Sequence, residues 1–247
     1  STPLYSSAAS DVYKRQGQEL EDEIKNVINV DMWMRQFAIM SLLGIGDTYS
    51  QGNPHNLNFY VRPSDGKVEP MPWDWDFLFS QSSSAGLWGG RNFAKIPARP
   101  VYGRIFHGHL VDIIESTFNT EYMNYWLSHY GSLAREGYTG LSNNIRSRSN
   151  YVLSRIPKQI PFSISSGPGN NLTVNGPTAE ISGNGWVDVS KVFIEGADLP
   201  LPINWTDADS WQVSVPLQPG ENTINLIAFN RRGTEVGNDT IIIVSTG

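Results

Sequence analysis

The chain has 247 residues, with 18 Lys and Arg against 24 Asp and Glu, 39% hydrophobic residues and 8 Trp. That is enough apolar material for one large domain or two ordinary ones. The mild acidity and the lack of a basic run argue against a nucleic-acid partner, and no stretch approaches the roughly 18 apolar residues of a membrane span. With no cysteine, disulfides, thiolate metal sites and cysteine nucleophiles are excluded, while the compartment stays open.

Residues 1–9 are small and polar, without the apolar segment of a signal peptide. Residues 11–16, DVYKRQ, back-translate as GATGTGTATAAGAGACAG, which looks like a transposon end used in preparing sequencing libraries. Residues 1–16 are therefore read as a non-native, disordered leader.

From Gln18 to Val30, Leu20, Ile24, Val27 and Ile28 recur at spacings of three and four, which predicts an amphipathic helix. Asp31 reads as the N-cap of a second helix, Met32 to Leu43. Its Met32, Phe37, Ile39, Met40, Leu42 and Leu43 leave little polar surface, so it should be buried. Gly44 and Gly46 end it in a turn, and Asp47 follows at once. Leu57–Pro63 and Lys67–Met71 read as two strands joined around an Asp65-Gly66 turn. The second strand delivers PWDWDF, in which Asp74 and Asp76 stand among Trp73, Trp75, Phe77 and Phe79. Carboxylates buried among aromatics are costly unless they meet a cation or a donor, a first pointer to a metal or phosphate site. Residues 80–90, rich in Ser and Gly, have the composition of a mobile surface segment.

Residues 100–156 return to a helical pattern in three segments: one holding Ile105, Leu110, Ile113 and Ile114, then Glu121–Tyr130, then Leu141–Ile156, stopped by Pro157 and Pro161. Arg146, Arg148 and Arg155 read as a solvated helix face, and His107 and His109 as surface residues lacking a third ligand. From Phe162 onward the segments are short, β-branched and separated by Gly, Pro, Asn and Asp. Their spacing suits an immunoglobulin-like β-sandwich over residues 161–247, with Trp186, Trp205 and Trp211 as core rather than ligand platforms. Three glycosylation sequons, at Asn171, Asn204 and Asn238, are what an Asn- and Thr-rich β domain produces by chance. The fold class is α+β.

Phosphoryl transfer needs a carboxylate near the accepting hydroxyl and oxygen ligands for the cations that bridge the phosphates. Protein kinases draw these from a catalytic-loop Asp, an Asn shortly after it, and an Asp beyond a short hairpin. Here Asp47, Asn56 and Asp74 occur in that order around a strand–turn–strand, and they are oxygen donors that suit Mg²⁺. The run GDTYSQGNPHN, followed by NFYVRPSDGK and PWDWDF, resembles the CotH family of atypical protein kinases. The likeness continues to YVLSRIP and spans residues 17–160.

The resemblance implies that residues 17–160 form a kinase-like C-terminal lobe, with the nucleotide-clamping lobe and its phosphate-binding Lys expected upstream. It implies that Asp47 is the catalytic carboxylate, that Asn56 and Asp74 bind Mg²⁺ or Mn²⁺, and that Asp76 contacts or supports that cation. ATP would be the phosphate donor and a protein Ser or Thr hydroxyl the acceptor. As a fragment the chain would bind ATP poorly, and its parent would be extracytoplasmic, secreted or at the cell surface. The spacing from Asp47 to Asn56 exceeds that of the usual HRDxxxxN loop, which leaves Asn53 and Asn58 as rivals for the Asn56 role. His55 reads as a hydrogen-bonding loop residue.

Two other readings stand beside this one. The chain could be an extracellular binding or adhesion protein whose β-sandwich meets a cell-surface or glycan partner, the helical part being a degenerate scaffold. A glycosidase pair made of Asp74 and Asp76 ranks lower, because neither has a distant carboxylate partner and Asn56 is left unexplained.

Overall fold

The computed structural model describes residues 17–51, 53, 55–89, 93–167 and 171–247. The leader reading of residues 1–16 lies outside them, as do Gly52 and Pro54 of the long Asp47–Asn56 connection. The chain divides after Ile156 into two compact units, helical and β, and the fold class is α+β.

In the first unit, α1 (Gly17–Val27) buries Leu20 and Ile24 on one stripe. The chain then extends through Ile28, which bridges to Val68, and Asn29, whose N–H donates to the Val68 carbonyl at 3.2 Å. These long-range bonds hold Asn29 at φ −80, ψ 90, and its side chain accepts from the Met32 N–H. Asn29 therefore caps α2 (Val30–Leu43), not Asp31. Asp31 lies inside the first turn, where a carboxylate suits the positive end of the helix dipole. There it meets His109 Nε2 at 2.9 Å.

Most of α2 is buried, including Trp33, Met34, Phe37, Met40 and Leu42, although Met32 is exposed. Left-handed Gly44 (φ 58) ends the helix by donating its N–H back to the Met40 and Ser41 carbonyls. Alongside α2 runs an antiparallel hairpin of β1 (Leu57–Val61) and β2 (Val68–Pro72), in register from Leu57–Pro72 to Val61–Val68. Its turn is clamped by an Arg62–Asp65 ion pair that holds the Asp65 carboxyl down at about 2. At that end Trp33 Nε1 donates to the Val68 carbonyl at 2.8 Å, and Asn29 Nδ2 donates to Glu69 at 3.0 Å. A helix of this length spans about 21 Å and a five-residue strand about 17 Å. The open end of the hairpin is thereby carried to the far end of α2.

Three further α-helices follow among the described residues of the unit: α3 (Pro100–Ser116), α4 (Thr120–Ala134) and α5 (Leu141–Leu153). Phe106, Leu110, Ile145 and Val152 are fully buried among them. The two histidines of α3 are not surface residues. His109 is buried, and the His107 ring lies 5.9 Å from that of Trp88 and 5.7 Å from that of Phe106. The reason is periodicity: positions 106, 109, 110 and 113 form one stripe of α3, so His109 is carried into the core with its apolar neighbours.

The second unit is two four-stranded sheets around one apolar core. One has the order β3 (Ser163–Ile164), β5 (Thr178–Asn184), β8 (Ser210–Pro216), β7 (Asn204–Trp205). The other is β4 (Asn171–Val174), β10 (Glu235–Ser245), β9 (Gly220–Phe229), β6 (Lys191–Ile194), with β4 parallel to β10. Alternation sends Ile181, Val213, Leu226 and Ile241 inward. Trp211 is buried and stacked on Phe162 at 5.4 Å. A Cβ on Gly183 would fall 2.1 Å from the Trp211 ring, so a side chain there is excluded. Trp186 and Trp205 are half-buried, and Trp186 Nε1 donates to the Pro157 carbonyl at 2.8 Å.

Burial pushes His107 down to about 4. Its unfolded value lies near 6.5, so the unfolded chain binds the extra proton across that interval. Stability tied to neutral His107 is complete above about pH 6.5 and is lost as pH falls towards about 4, by at most roughly 3 kcal/mol. Amide exchange in α3 should show this acid sensitivity in the wild type and a flatter profile in His107→Phe.

Candidate active site

Beyond Gly44 the chain turns through a short 3-10 helix, Tyr49–Gln51, which leaves Asp47 half-buried between two fixed points. Asn56 Nδ2 donates to Asp47 Oδ2 at 2.8 Å and to the Asp47 carbonyl at 3.1 Å. Asn56 immediately precedes β1 at φ 56, a left-handed conformation that Asn tolerates better than most residues. It is therefore Asn56 whose carboxamide reaches Asp47, while Asn53, Asn58 and His55 are exposed. Both donated bonds use the Asn56 amide nitrogen, leaving Oδ1 as an acceptor for another group. Asp47 Oδ1 is buried and meets no donor among the described residues.

Because the ladder ends at Leu57–Pro72, Asn56 and the run Trp73–Asp74 leave the hairpin at the same end. Asp74, at φ 51, is also left-handed. Here the structure departs from the sequence reading: Asp74 and Asp76 are exposed, as are Trp73 and Phe77. Residues 73–79 form an irregular turn after β2 rather than an inward strand, so desolvation gives no reason for these carboxylates to seek a cation. Nor do three His, Asp or Glu side chains converge on a metal position among the described residues. Asn56 and the exposed Asp74 and Asp76 follow from the same end of the hairpin and carry oxygen donors of the kind a hard cation that keeps several waters accepts.

The Ser- and Gly-rich segment after Asp76 is fastened down rather than free. Phe79 N–H donates to the Leu43 carbonyl at 2.7 Å and Gln81 N–H to the Gly44 carbonyl at 3.1 Å. Arg148 of α5 is buried at 3% exposure, contrary to the solvated face expected for it, although Arg146 and Arg155 are exposed. Its Nε and Nη2 donate to the Ser41 carbonyl at 3.0 and 2.9 Å. Nη1 donates to the Ser83 and Ala85 carbonyls at 3.2 and 2.5 Å. Burial lowers its pKa, with Tyr151 opposing. The signal was present in the sequence: Ile145, Arg148 and Val152 are spaced three and four apart, which puts Arg148 on the apolar stripe of its helix.

The family model described as CotH kinase protein matches residues 5–160. No curated protein matches the chain. Among solved structures, the endo-beta-1,4-mannanase from Thermotoga petrophila is similar at 14% identity and a TM-score of 0.30. That match covers 43% of this chain and 24% of the mannanase chain, and at such a TM-score it carries no argument about fold or activity.

Two substitutions separate backbone strain from hydrogen bonding at Asn56. Asn56→Gly loses the bonds to Asp47 but relaxes a positive φ, whereas Asn56→Ala loses the bonds and keeps the strain. Urea unfolding of the helical unit should therefore place Asn56→Ala about 1 kcal/mol below Asn56→Gly.

Proposed function

Since the chain belongs to the CotH kinase family, we propose that it carries the catalytic loop of an ATP-dependent protein kinase that phosphorylates Ser or Thr hydroxyls. The observation behind this reading is the Asp47–Asn56 pair. Asn56 holds one oxygen of the Asp47 carboxylate at 2.8 Å while the other, buried, has no donor among the described residues. A carboxylate fixed in this way can accept the proton of an acceptor hydroxyl. The hydroxyl oxygen forms a bond to the γ-phosphorus, the bond from that phosphorus to the β-γ bridging oxygen breaks, and ADP leaves with the electron pair.

Asn56 Oδ1 and Asp74 would hold Mg²⁺ or Mn²⁺, with Asp76 contacting or supporting the same cation. When bound, the cation supplies charge neutralisation for the phosphate oxygens. The rest is the work of the chain: Asn56 orients Asp47, and the hairpin sets the asparagine against the aspartate. The protein is read as extracytoplasmic.

For the second unit, strand order supports an immunoglobulin-like module. One sheet runs β3-β5-β8-β7 and the other β4-β10-β9-β6, which corresponds to A-B-E-D facing A′-G-F-C in that architecture. A binding or adhesion role for this unit has one observation in its favour. A groove of about 390 Å³ lies on the outer face of β6 and β9, lined by Phe193, Ile227, Phe229 and the charged Lys191 and Glu195. A cell-surface or glycan partner would occupy it.

Incorporation of labelled phosphate into a Ser/Thr protein, by the full-length protein that carries this chain, tests the kinase reading. It should depend on Mg²⁺ or Mn²⁺ and fall by about a hundredfold or more in Asp47→Asn, with a comparable loss in Asp74→Ala. Wild-type incorporation by Asp47→Asn removes the catalytic role. Glycan capture by the protein without any nucleotide-dependent labelling favours the adhesion reading.

A further inference from the structure

We propose that Arg148 is a positioning residue for the candidate site. Its guanidinium ties the end of α2, which leads into Asp47, to the loop that leaves Asp74 and Asp76, and so sets the gap between them. The inference rests on the metal-site reading of those residues.

Arg148 reaches both segments at once. Ser41, at the end of α2, receives bonds on its carbonyl and on Oγ, the latter at 3.0 Å. Across from it, the carbonyls of Ser83, Ala85 and Gly86 accept from the same guanidinium, at 3.2, 2.5 and 3.4 Å. Every one of these acceptors is a carbonyl or hydroxyl oxygen rather than a carboxylate. Burying a cation in that way is unfavourable compared with an apolar residue of similar volume, so core packing alone does not account for it. What it supplies is geometry: a planar fork with donors on three nitrogens, which an ammonium group does not reproduce.

Besides Arg148, it is polar bonds that order the segment it holds, such as Gln81 N–H on the Gly44 carbonyl and Ala85 N–H on the Ser82 carbonyl. Residues 80–86, SQSSSAG, offer little apolar surface against the entropy of fixing their backbone. Yet the loop lies against the Asp47 segment on both sides of that residue. Before Asp47, the Ser80 hydroxyl and the Gln81 N–H donate to the Gly44 carbonyl, and a Cβ on Gly46 would fall 2.6 Å from Ser80 Oγ. After Asp47, Gly89 packs so closely on Ser50 that a Cβ would lie 1.4 Å from its carbonyl oxygen. Residues 41–50 and 79–89 are thus joined at several points, with Asp47 between the joints and the Arg148 side chain bonded to both segments.

The test uses the full chain as wild type, Arg148→Met, Arg148→Lys and Asp74→Ala, each first checked for folded helix content by circular dichroism. Met fills the space without the donors, and Lys keeps the charge without the fork. Two quantities are read: amide exchange at Phe79 and Gln81, and Mn²⁺ affinity from water-proton relaxation with the metal alone as probe. Both Arg148 variants should exchange at least about tenfold faster at those amides and bind Mn²⁺ about tenfold more weakly, the scale of losses when groups that orient ligands are removed. Asp74→Ala should lose Mn²⁺ affinity with exchange at Phe79 and Gln81 unchanged. The inference is overturned if Arg148→Met exchanges like the wild type, or exchanges faster while keeping wild-type Mn²⁺ affinity. If Asp74→Ala retains full affinity, or the wild type takes up no Mn²⁺, the metal-site reading itself fails and removes the inference through a separate arm.

Discussion

A buried guanidinium bonded only to neutral oxygens is the constraint around which the helical unit is arranged. Arg148 sits at 3% exposure with donors turned to Ser41 and to the Ser83–Gly86 loop. Taking that cation out of water is tolerable only because each nitrogen finds acceptors. The acceptors in turn come from two segments that are also joined by the Phe79–Leu43 and Gln81–Gly44 backbone bonds. Removal of the donors leaves Ser41 and the loop carbonyls to find other partners.

α2 is the second organising element, and it acts as a strut. At its start, Asn29 and Trp33 hold the closed end of the hairpin through Val68 and Glu69. At its other end, Asp47 receives the Asn56 amide from the open end of the same hairpin. A helix and a strand pair of similar length, joined at both ends, fix where Asn56 stands. The positive φ values at Asn56 and Asp74 are the local strain that such a closure tolerates. Strain of this kind clusters at functional positions, in keeping with the reading offered for these residues.

The candidate site is more open than a buried acidic pair. Asp74 and Asp76 face solvent beside exposed Trp73 and Phe77, so desolvation does not act on these carboxylates. Asp47 carries the opposite character: half-buried, held by Asn56, with one oxygen left without a donor. The carboxylates therefore stand in two different surroundings, one held by an amide and the others in solvent.

The sequence by itself determined the elements with a strong local period: the apolar stripes of α1 and α2, the stop at Gly44, the hairpin about Asp65-Gly66 and the alternating β segments after Phe162. It also determined the order Asp47, Asn56, Asp74 and the likeness to a kinase family, since side-chain identity and order are properties of the chain alone. Tertiary structure decided which asparagine meets Asp47, because Asn53, Asn56 and Asn58 are chemically equivalent and only hairpin closure tells them apart. It moved the cap of α2 from Asp31 to Asn29 through the pairing with Val68, and it turned Asp74 and Asp76 outward. It also drew His109 and Arg148 inside. For those two the helical spacing already pointed inward, but residue type argued for the surface. Only acceptors far off in sequence, Asp31 for one and the Ser83–Gly86 carbonyls for the other, make burying such groups affordable. A local pattern shows where a side chain points along its own helix, whereas the free energy of leaving water depends on what the rest of the chain brings to meet it.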